Sequence, residues 1–593
     1  MVTKNDVRRK RRQTTPLRKP APVAAAKAVL KPGQRVLVIG AGPSGLVALK
    51  TLREHGYNAI CAEANETIGG TFHNKTYDDG VLVSSKYITP FSDFRWEDAS
   101  CSHPPIEEYL DYLGRYVAQF NLEPYLYFGL RVDSVLRTSS NHYTIRCTYK
   151  KFASKKLQSK SFNAVAICSG LHNIPFTPIV KGIEHFKGIS IHSSEYKERS
   201  IFRRKRVLIV GCGETGCDIA YRAVQESQPR GVCMCVRRGF LSVPTALNER
   251  VPLDTYITNL FECAYQHRWT ETLKLKWTFT TPFIRLAFLL GTGSSGGFNQ
   301  WDGTLPNVKR GYHIINKSTA IMPYINPQIK RNSWFGRNLY HFFDRHNMYP
   351  ETRVVKIVPS IERFSDDGTS VVFTDGNIEN FDIVVWCTGY RQKFPFLPER
   401  SASLGGQDEA LPSEHMVCSP GELTLAYIGF VRPNVGAIPP MSEMQVFYWI
   451  HRLRGNLPSG APTTYKLLGL ERTRAYGVDY GAYMHDLARE VGIAPSLGYW
   501  IFHNPRVAVA YAMGQSYITF FRLEGPFKDS KAVKISGNEL LRPVLDRGLA
   551  GNLLFVLIII FFGILNTAFW FVEHLFVRPM QSLWKKIIVC SSS

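Results

Sequence analysis

The residues in this chain best suited to chemistry are two glycine clusters and the charged residues that follow them. The first is Gly40-Ala41-Gly42-Pro43-Ser44-Gly45, a G-x-G-x-x-G, with Glu63 at the usual distance of about 20 residues beyond it. The second is Gly211-Cys212-Gly213-Glu214-Thr215-Gly216, followed by Arg237 and Arg238. In such a cluster the first glycine allows the tight turn and the second lets backbone approach a pyrophosphate. The third lets the following helix pack closely, and the helix N-terminus faces the phosphates. A carboxylate at Glu63 accepts from ribose hydroxyls and repels a 2′-phosphate, which suits FAD or NAD. Two guanidinium groups at the matching place of the second cluster suit a 2′-phosphate, and so NADPH. The predicted contacts are Gly40, Ala41, Gly42, Pro43, Ser44, Gly45 and Glu63 at the first site. At the second they are Gly211, Gly213, Thr215, Gly216, Cys217, Asp218, Arg237 and Arg238. Two such sites imply electron transfer between a flavin and a nicotinamide.

The elements that must hold these residues are legible around them. Gln34–Ile39 is a short, β-branched apolar run, as a buried parallel strand requires, and it leads directly into the first cluster. Leu46–His55 has helical spacing and stops at Gly56, and Asn58–Ala62 reads as the next strand. Arg206–Val210, Cys217–Val224 and Gly231–Val236 repeat that order around the second cluster. Two more buried strands, Phe162–Cys168 and Asn380–Trp386, run into Ser169-Gly170 and Cys387-Thr388-Gly389-Tyr390 and read as links between nested domains. The predicted fold class is α/β, with two nested Rossmann-like dinucleotide-binding domains and a C-terminal hydrophobic membrane helix. The expected divisions are a basic disordered arm over 1–33 and an FAD domain over 34–202 and 359–460, with an NADPH domain over 203–358 inserted in it. A C-terminal cap over 461–550, an anchor over 551–573 and a tail over 574–593 follow.

Composition bounds the rest. The chain has 593 residues, 45% of them hydrophobic, and a net charge of +24. That hydrophobic content excludes global disorder. Residues 1–33 carry ten Lys/Arg against the single acid Asp6, an arm that reads as a disordered basic tail. The twelve Cys contain no C-x-x-C pair, which speaks for reduced thiols and against a disulfide reductase. No metal cluster and no nucleic-acid module is expected. Leu553–Val572 is an uncharged apolar run of about 20 residues, enough to span a bilayer. Trp570, Arg547, Arg578, Lys585 and Lys586 are placed as interfacial flanks. Trp269–Leu290 and Gly291–Gly297 read as a core helix and a surface loop, with a substrate-channel lining or a membrane contact as the alternative.

A set of ordered segments then resembles one family. Phe186–Tyr196 fits an F-x-G-x-x-x-H-x-x-x-Y signature. Ile68-Gly69-Gly70-Thr71-Phe72, Phe91-Ser92-Asp93-Phe94, Val236-Arg237-Arg238-Gly239 and Cys387-Thr388-Gly389-Tyr390 follow in the family's order. So do Leu425–Phe430, Gly436–Pro439 and Ser442–Gln445. Together they resemble the flavin-containing monooxygenases, of the dimethylaniline monooxygenase kind. The resemblance adds Gly70, Thr71, Phe72 and Gly389 to the cofactor contacts. It implies that NADPH reduces FAD, that the flavin captures O2 as a hydroperoxide, and that an amine nitrogen or sulfide sulfur takes one oxygen. It also implies membrane attachment, with endoplasmic reticulum and a cytosol-facing catalytic domain as the expected location. Homo-oligomers are compatible with it. His192 is expected to be structural. The family's Asn beside the flavin aligns with Val83, which cannot donate a hydrogen bond. Either a neighbouring hydroxyl substitutes, with Ser84 and Ser85 as the candidate catalytic residues, or the oxygenated flavin is short-lived and leaks peroxide. The signature ends in Tyr196 where Baeyer–Villiger relatives have Trp, which favours heteroatom oxygenation. Ketone oxygenation, or an NADPH oxidase or structural flavoprotein, are the alternatives.

Overall fold

The computed structural model describes residues 29–96, 99–139, 141–237, 239–242, 245–247, 251–256, 259, 269, 302–304, 315–325, 353–397, 411–458, 463–465, 467–468 and 477–580. The arm over 1–28, Arg238, nearly all of the 269–297 segment, and the tail with Lys585 and Lys586 lie outside them.

The chain opens with strand β1 (Arg35–Ile39), helix α1 (Pro43–Glu54) and strand β2 (Asn58–Ala62), then helix α2 (Ile106–Gln119), β3 (Leu126–Tyr127) and β4 (Ala164–Ile167). A second series follows: β5 (Ile189–His192), β6 (Val207–Val210), α3 (Glu214–Glu226), β7 (Val232–Cys235), β8 (Val355–Val358) and β9 (Ile383–Trp386). The chain then returns through β10 (Leu425–Tyr427) to helix α4 (Ile438–Leu453) and the helices α5 (Tyr480–Val491), α6 (Leu497–His503) and α7 (Pro505–Met513). The strands form two parallel sheets, ordered β10-β4-β1-β2-β3 and β8-β7-β6-β9-β5.

Both sheets are covered on both faces, which explains their unbroken apolar strands. In β1, Val36 and Val38 face a core shared with α1, α4 and the cap helices, while Leu37 and Ile39 face a second core. That second core lies under the antiparallel strands Leu130–Ser139 and His142–Tyr149. In β6, Val207 and Ile209 pack with Cys217, Ile219 and Ala223 of α3, while Leu208 packs with Val371 and Phe373.

Two strands outside the stretch 203–358 join the second sheet. Ile189–His192 and Ile383–Trp386 are strands of the second sheet, on the side of β6 opposite β7. A short apolar strand carries no local mark of the sheet it will join. The helices of the expected cap pack into the first core. Tyr480, Leu487, Val507 and Phe520 belong to the same continuous core as Leu46 and Leu49 of α1.

The expected anchor is helical over Gly548–Val572. The stretch Gly551–Met580, 30 residues with mean hydropathy 2.5, is long and apolar enough to cross a membrane, and little of it is buried.

Candidate functional site

Each glycine turn sits where its parallel sheet can open. Gly40 leaves β1 with φ +104°, and a Cβ there would lie 2.7 Å from the Cys168 carbonyl at the end of the neighbouring strand. Gly45 presses directly on the Gly40 carbonyl, so helix and turn meet without room for a side chain. Gly42, the N-cap of α1, would meet only the Gly70 Cα, at 3.8 Å. Pro43 occupies the first helical turn, where no N–H is needed, and Ser44 Oγ pairs with Ser442 Oγ of α4 at 2.8 Å. Gly69 N–H donates to the Ala41 carbonyl at 3.0 Å, so the Gly70-Thr71-Phe72 segment lies over the turn. Thr71 is exposed, and Phe72 stands edge-on to Tyr109 at 4.9 Å.

Glu63 ends β2 beside this turn and is buried. One carboxylate oxygen accepts from Ala41 N–H at 2.7 Å, and the other from Asn65 N–H at 2.8 Å. The carboxylate is thus fixed at the rim of the turn, where a ribose would sit.

The second turn repeats this geometry. Gly211 has φ +114° against the Cys387 carbonyl, and Gly216 presses on Gly211. Around Gly213, the N-cap of α3, the position of a Cβ is open space. Thr215 is exposed on the first helical turn, and Arg237 is exposed just past β7. Both cradles keep open backbone at a helix N-terminus, with a rim of opposite charge, and these residues fit a flavin dinucleotide and a 2′-phosphorylated nicotinamide dinucleotide.

The next two expected contacts lie on α3. Cys217 is fully buried in the core beneath it. Asp218 pairs with Arg222 at 2.6 Å and accepts from Tyr77 Oη at 2.5 Å. Through Tyr77, Asp218 links α3 to the segment that follows the first glycine turn.

The Val83–Ser85 turn shows what the sequence did not disclose. The Val83 side chain is exposed, while its carbonyl accepts from Lys317 Nζ at 2.9 Å. Ser84 Oγ is engaged with Thr89 Oγ1 at 2.8 Å. Ser85 is buried; its N–H donates to Asp254 Oδ2 at 2.7 Å, and its hydroxyl has no partner. Asp254 and Lys317 lie 3.5 Å apart, and both are buried. Burial holds the nearby His103 imidazole below its usual pKa, so it stays neutral. No local signal marks Asp254 or Lys317, because neither lies in a motif and their contacts with the turn reach across 169 and 234 residues.

His192 cross-ties the strand ends: its Nε2–H donates to the Gly389 carbonyl at 3.0 Å, and its Nδ1 accepts from Ser194 N–H at 3.1 Å. Tyr196 is buried between Phe202 and Tyr77, with its hydroxyl 3.4 Å from Asp78.

Comparison with known proteins agrees with this geometry. Residues 33–280 and 350–537 match the family model described as Flavin-binding monooxygenase-like. The chain is 35% identical to Monooxygenase PC-14 of Penicillium crustosum, covering 88% of this chain and 96% of that protein. It is 26% identical to Dimethylaniline monooxygenase [N-oxide-forming] 2 of Pan troglodytes, covering 87% and 94%. The S-allyl-L-cysteine S-oxygenase of Allium sativum superposes with a TM-score of 0.52 at 18% identity, over 86% of this chain and 99% of that one, and so shares its fold. With two dinucleotide cradles in nested parallel sheets and a family match across most of its length, the chain belongs to the flavin-binding monooxygenase-like family.

Proposed function

We propose that this flavin monooxygenase uses FAD and NADPH to place one oxygen atom of O2 on a soft nucleophile, an amine nitrogen or a sulfide sulfur. The observation that carries the reading is the pair of cradles with opposite rims, Glu63 at one and Arg237 at the other. Bound FAD supplies the redox chemistry: two electrons pass from NADPH to O2, one oxygen goes to the substrate lone pair, and the other leaves as water.

The chain's own residues bind, orient and exclude water. Gly40–Gly45 and Glu63 hold the flavin dinucleotide, with Gly70 backing the turn. Gly211–Gly216 and Arg237 hold NADPH, and Gly389 fixes the crossing between the sheets. Ser85 Oγ, buried and without a partner, is the hydroxyl available to serve where Val83 lacks a donor. Ser84 positions the turn through Thr89. Tyr196, where the ketone-oxygenating relatives carry Trp, supports the heteroatom reading. The N-oxide-forming activity named for the primate relative points the same way. The exposed apolar helix is the membrane attachment, on the endoplasmic reticulum with the catalytic part in the cytosol.

The test is NADPH consumption by FAD-loaded full-length protein across amine, sulfide and ketone panels, with products identified. One N-oxide or sulfoxide per NADPH is expected. Esters from ketones as the sole products would overturn the substrate class. A colourless protein that refuses flavin would overturn the whole proposal.

A further inference from the structure

The buried pair Lys317–Asp254 is placed to do more than fill a core. Lys317 Nζ donates to the Val83 carbonyl, and Asp254 Oδ2 accepts from the Ser85 N–H, so the two charges grip the same turn from opposite polar groups. The second oxygen of Asp254 is buried without a partner, as are the Ser85 hydroxyl and His103 Nε2. A buried ion pair is a poor way to gain stability, since desolvation offsets most of its attraction. Its hydrogen bonds are therefore the feature to explain.

Those bonds lead to the nicotinamide cradle. Lys317 N–H donates to both oxygens of Glu214, at 3.0 and 2.9 Å, and Ser318 Oγ donates to Glu214 at 3.0 Å. Glu214 is the first residue of α3, directly after Gly213 in the second glycine turn. Asp254 comes from the short helical turn Leu253–Thr255. It is held from behind by Gln515 Nε2, which donates to the Asp254 carbonyl at 3.2 Å. Lys317 is therefore tied to the second cradle and Asp254 to the cap, and the two meet at the turn carrying Val83.

We infer that Lys317 and Asp254 are positioning residues that fix the Val83–Ser85 turn in register with the nicotinamide cradle, through Glu214, and supply the polar hold that valine at position 83 does not. This rests on the proposed FAD and NADPH reading, which sets the turn beside the flavin. A nucleotide seated at α3 then tightens Glu214 on Lys317, and Lys317 on the turn. Loss of the clamp leaves flavin binding intact but lets the turn move while nucleotide is bound, so reducing equivalents are lost to peroxide.

The experiment uses full-length, FAD-loaded protein with NADP⁺ as the probe. Two quantities are read: hydrogen exchange of the amides over 82–86 with and without NADP⁺, and the share of NADPH electrons recovered as hydrogen peroxide. In the parent protein NADP⁺ slows exchange at Ser85. Lys317→Met loses about tenfold or more of that protection, as expected for one charged hydrogen bond, and the peroxide share rises. Lys317→Arg, which keeps a charged donor, restores part of both. Because Lys317→Met strands a buried carboxylate, the neutral double variant Lys317→Met/Asp254→Asn guards against simple unfolding. The inference is overturned if the flavin-loaded double variant keeps both the NADP⁺ protection and the parent peroxide share. If the parent itself takes up flavin yet shows no NADP⁺ effect on these amides, the clamp is wrong while the flavin site stands. If the parent binds neither nucleotide, the functional reading falls and the clamp with it.

Discussion

Glu63 and Arg237 end corresponding strands of two copies of one motif, and the difference between them is a sign of charge. On the proposed reading, a carboxylate at the first rim would accept from ribose hydroxyls, and a guanidinium at the second would meet a phosphate. Arg237 is exposed, so solvent screening reduces its contribution below that of a buried contact. Arg237→Ala is expected to raise the KM for NADPH by about tenfold, the lower end for a charge-assisted bond, with little change for NADH. Equal losses for both nucleotides in steady-state kinetics would remove Arg237 from phosphate recognition. At Gly45 the expectation is steric. Gly45→Ala would push α1 off the Gly40 carbonyl, and the purified protein should carry much less bound flavin by visible absorbance. These residues were legible in the sequence because a turn, a helix start and a strand end are local events. The surroundings of Cys217 and Asp218 were not legible in the same way. Both lie in the right motif, but which face of α3 each occupies depends on the sheet and the neighbouring half. Lys317 and Asp254 were invisible because only tertiary folding brings residues 83, 254 and 317 together.

Elements, in turn, are joined by charges at places the motifs only hinted at. The segments Phe91–Phe94 and Ser442–Gln445 both carried the family resemblance, and the structure bonds one to the other. Ser92 N–H donates to Glu443 Oε2 at 2.9 Å, and Ser92 Oγ also reaches that carboxylate. Arg522 lies 3.6 Å from Glu443 and 3.5 Å from Asp93, while Lys50 of α1 pairs with Asp93 and with Glu54. This network stitches α1, α4 and the cap beneath the first glycine turn. Glu443 is fully buried, and burial first, then the Asp93 charge, push its carboxyl up to about 7. The sign of the linkage follows. With the folded value above the unfolded one, the folded state holds the extra proton between about pH 4.5 and about pH 7. Stability from this group is full below that window and declines as pH rises through it. Glu443→Gln should therefore flatten the pH dependence of the unfolding midpoint between those values. An unchanged slope in thermal unfolding across that range would show that Glu443 is ionised throughout in the folded protein.

At the scale of the whole molecule, the apolar helix is attached through a joint rather than a linker. Arg547 was expected to flank the membrane as an interfacial cation. Instead it is buried, and burial lowers its pKa from the ordinary guanidinium value. It donates to the Met513 carbonyl at the end of α7, at 2.8 Å, and to the Thr255 carbonyl. Its guanidinium also lies over the rings of Tyr256 and Phe555, at 5.4 and 5.7 Å. The helix root, the cap and the segment that carries Asp254 therefore converge on one side chain. The two roles of this region separate experimentally. A chain ending at Asn552 keeps Arg547 and should leave the membrane fraction while retaining flavin. Arg547→Met keeps the anchor but leaves the Thr255 and Met513 carbonyls unpaired, a cost of about 1–3 kcal/mol for buried acceptors. Its unfolding midpoint should fall, and exchange over 251–256 should quicken, with membrane retention unchanged. If Arg547→Met instead releases the protein from the membrane at full stability, Arg547 is an interfacial anchor after all and the joint does not exist.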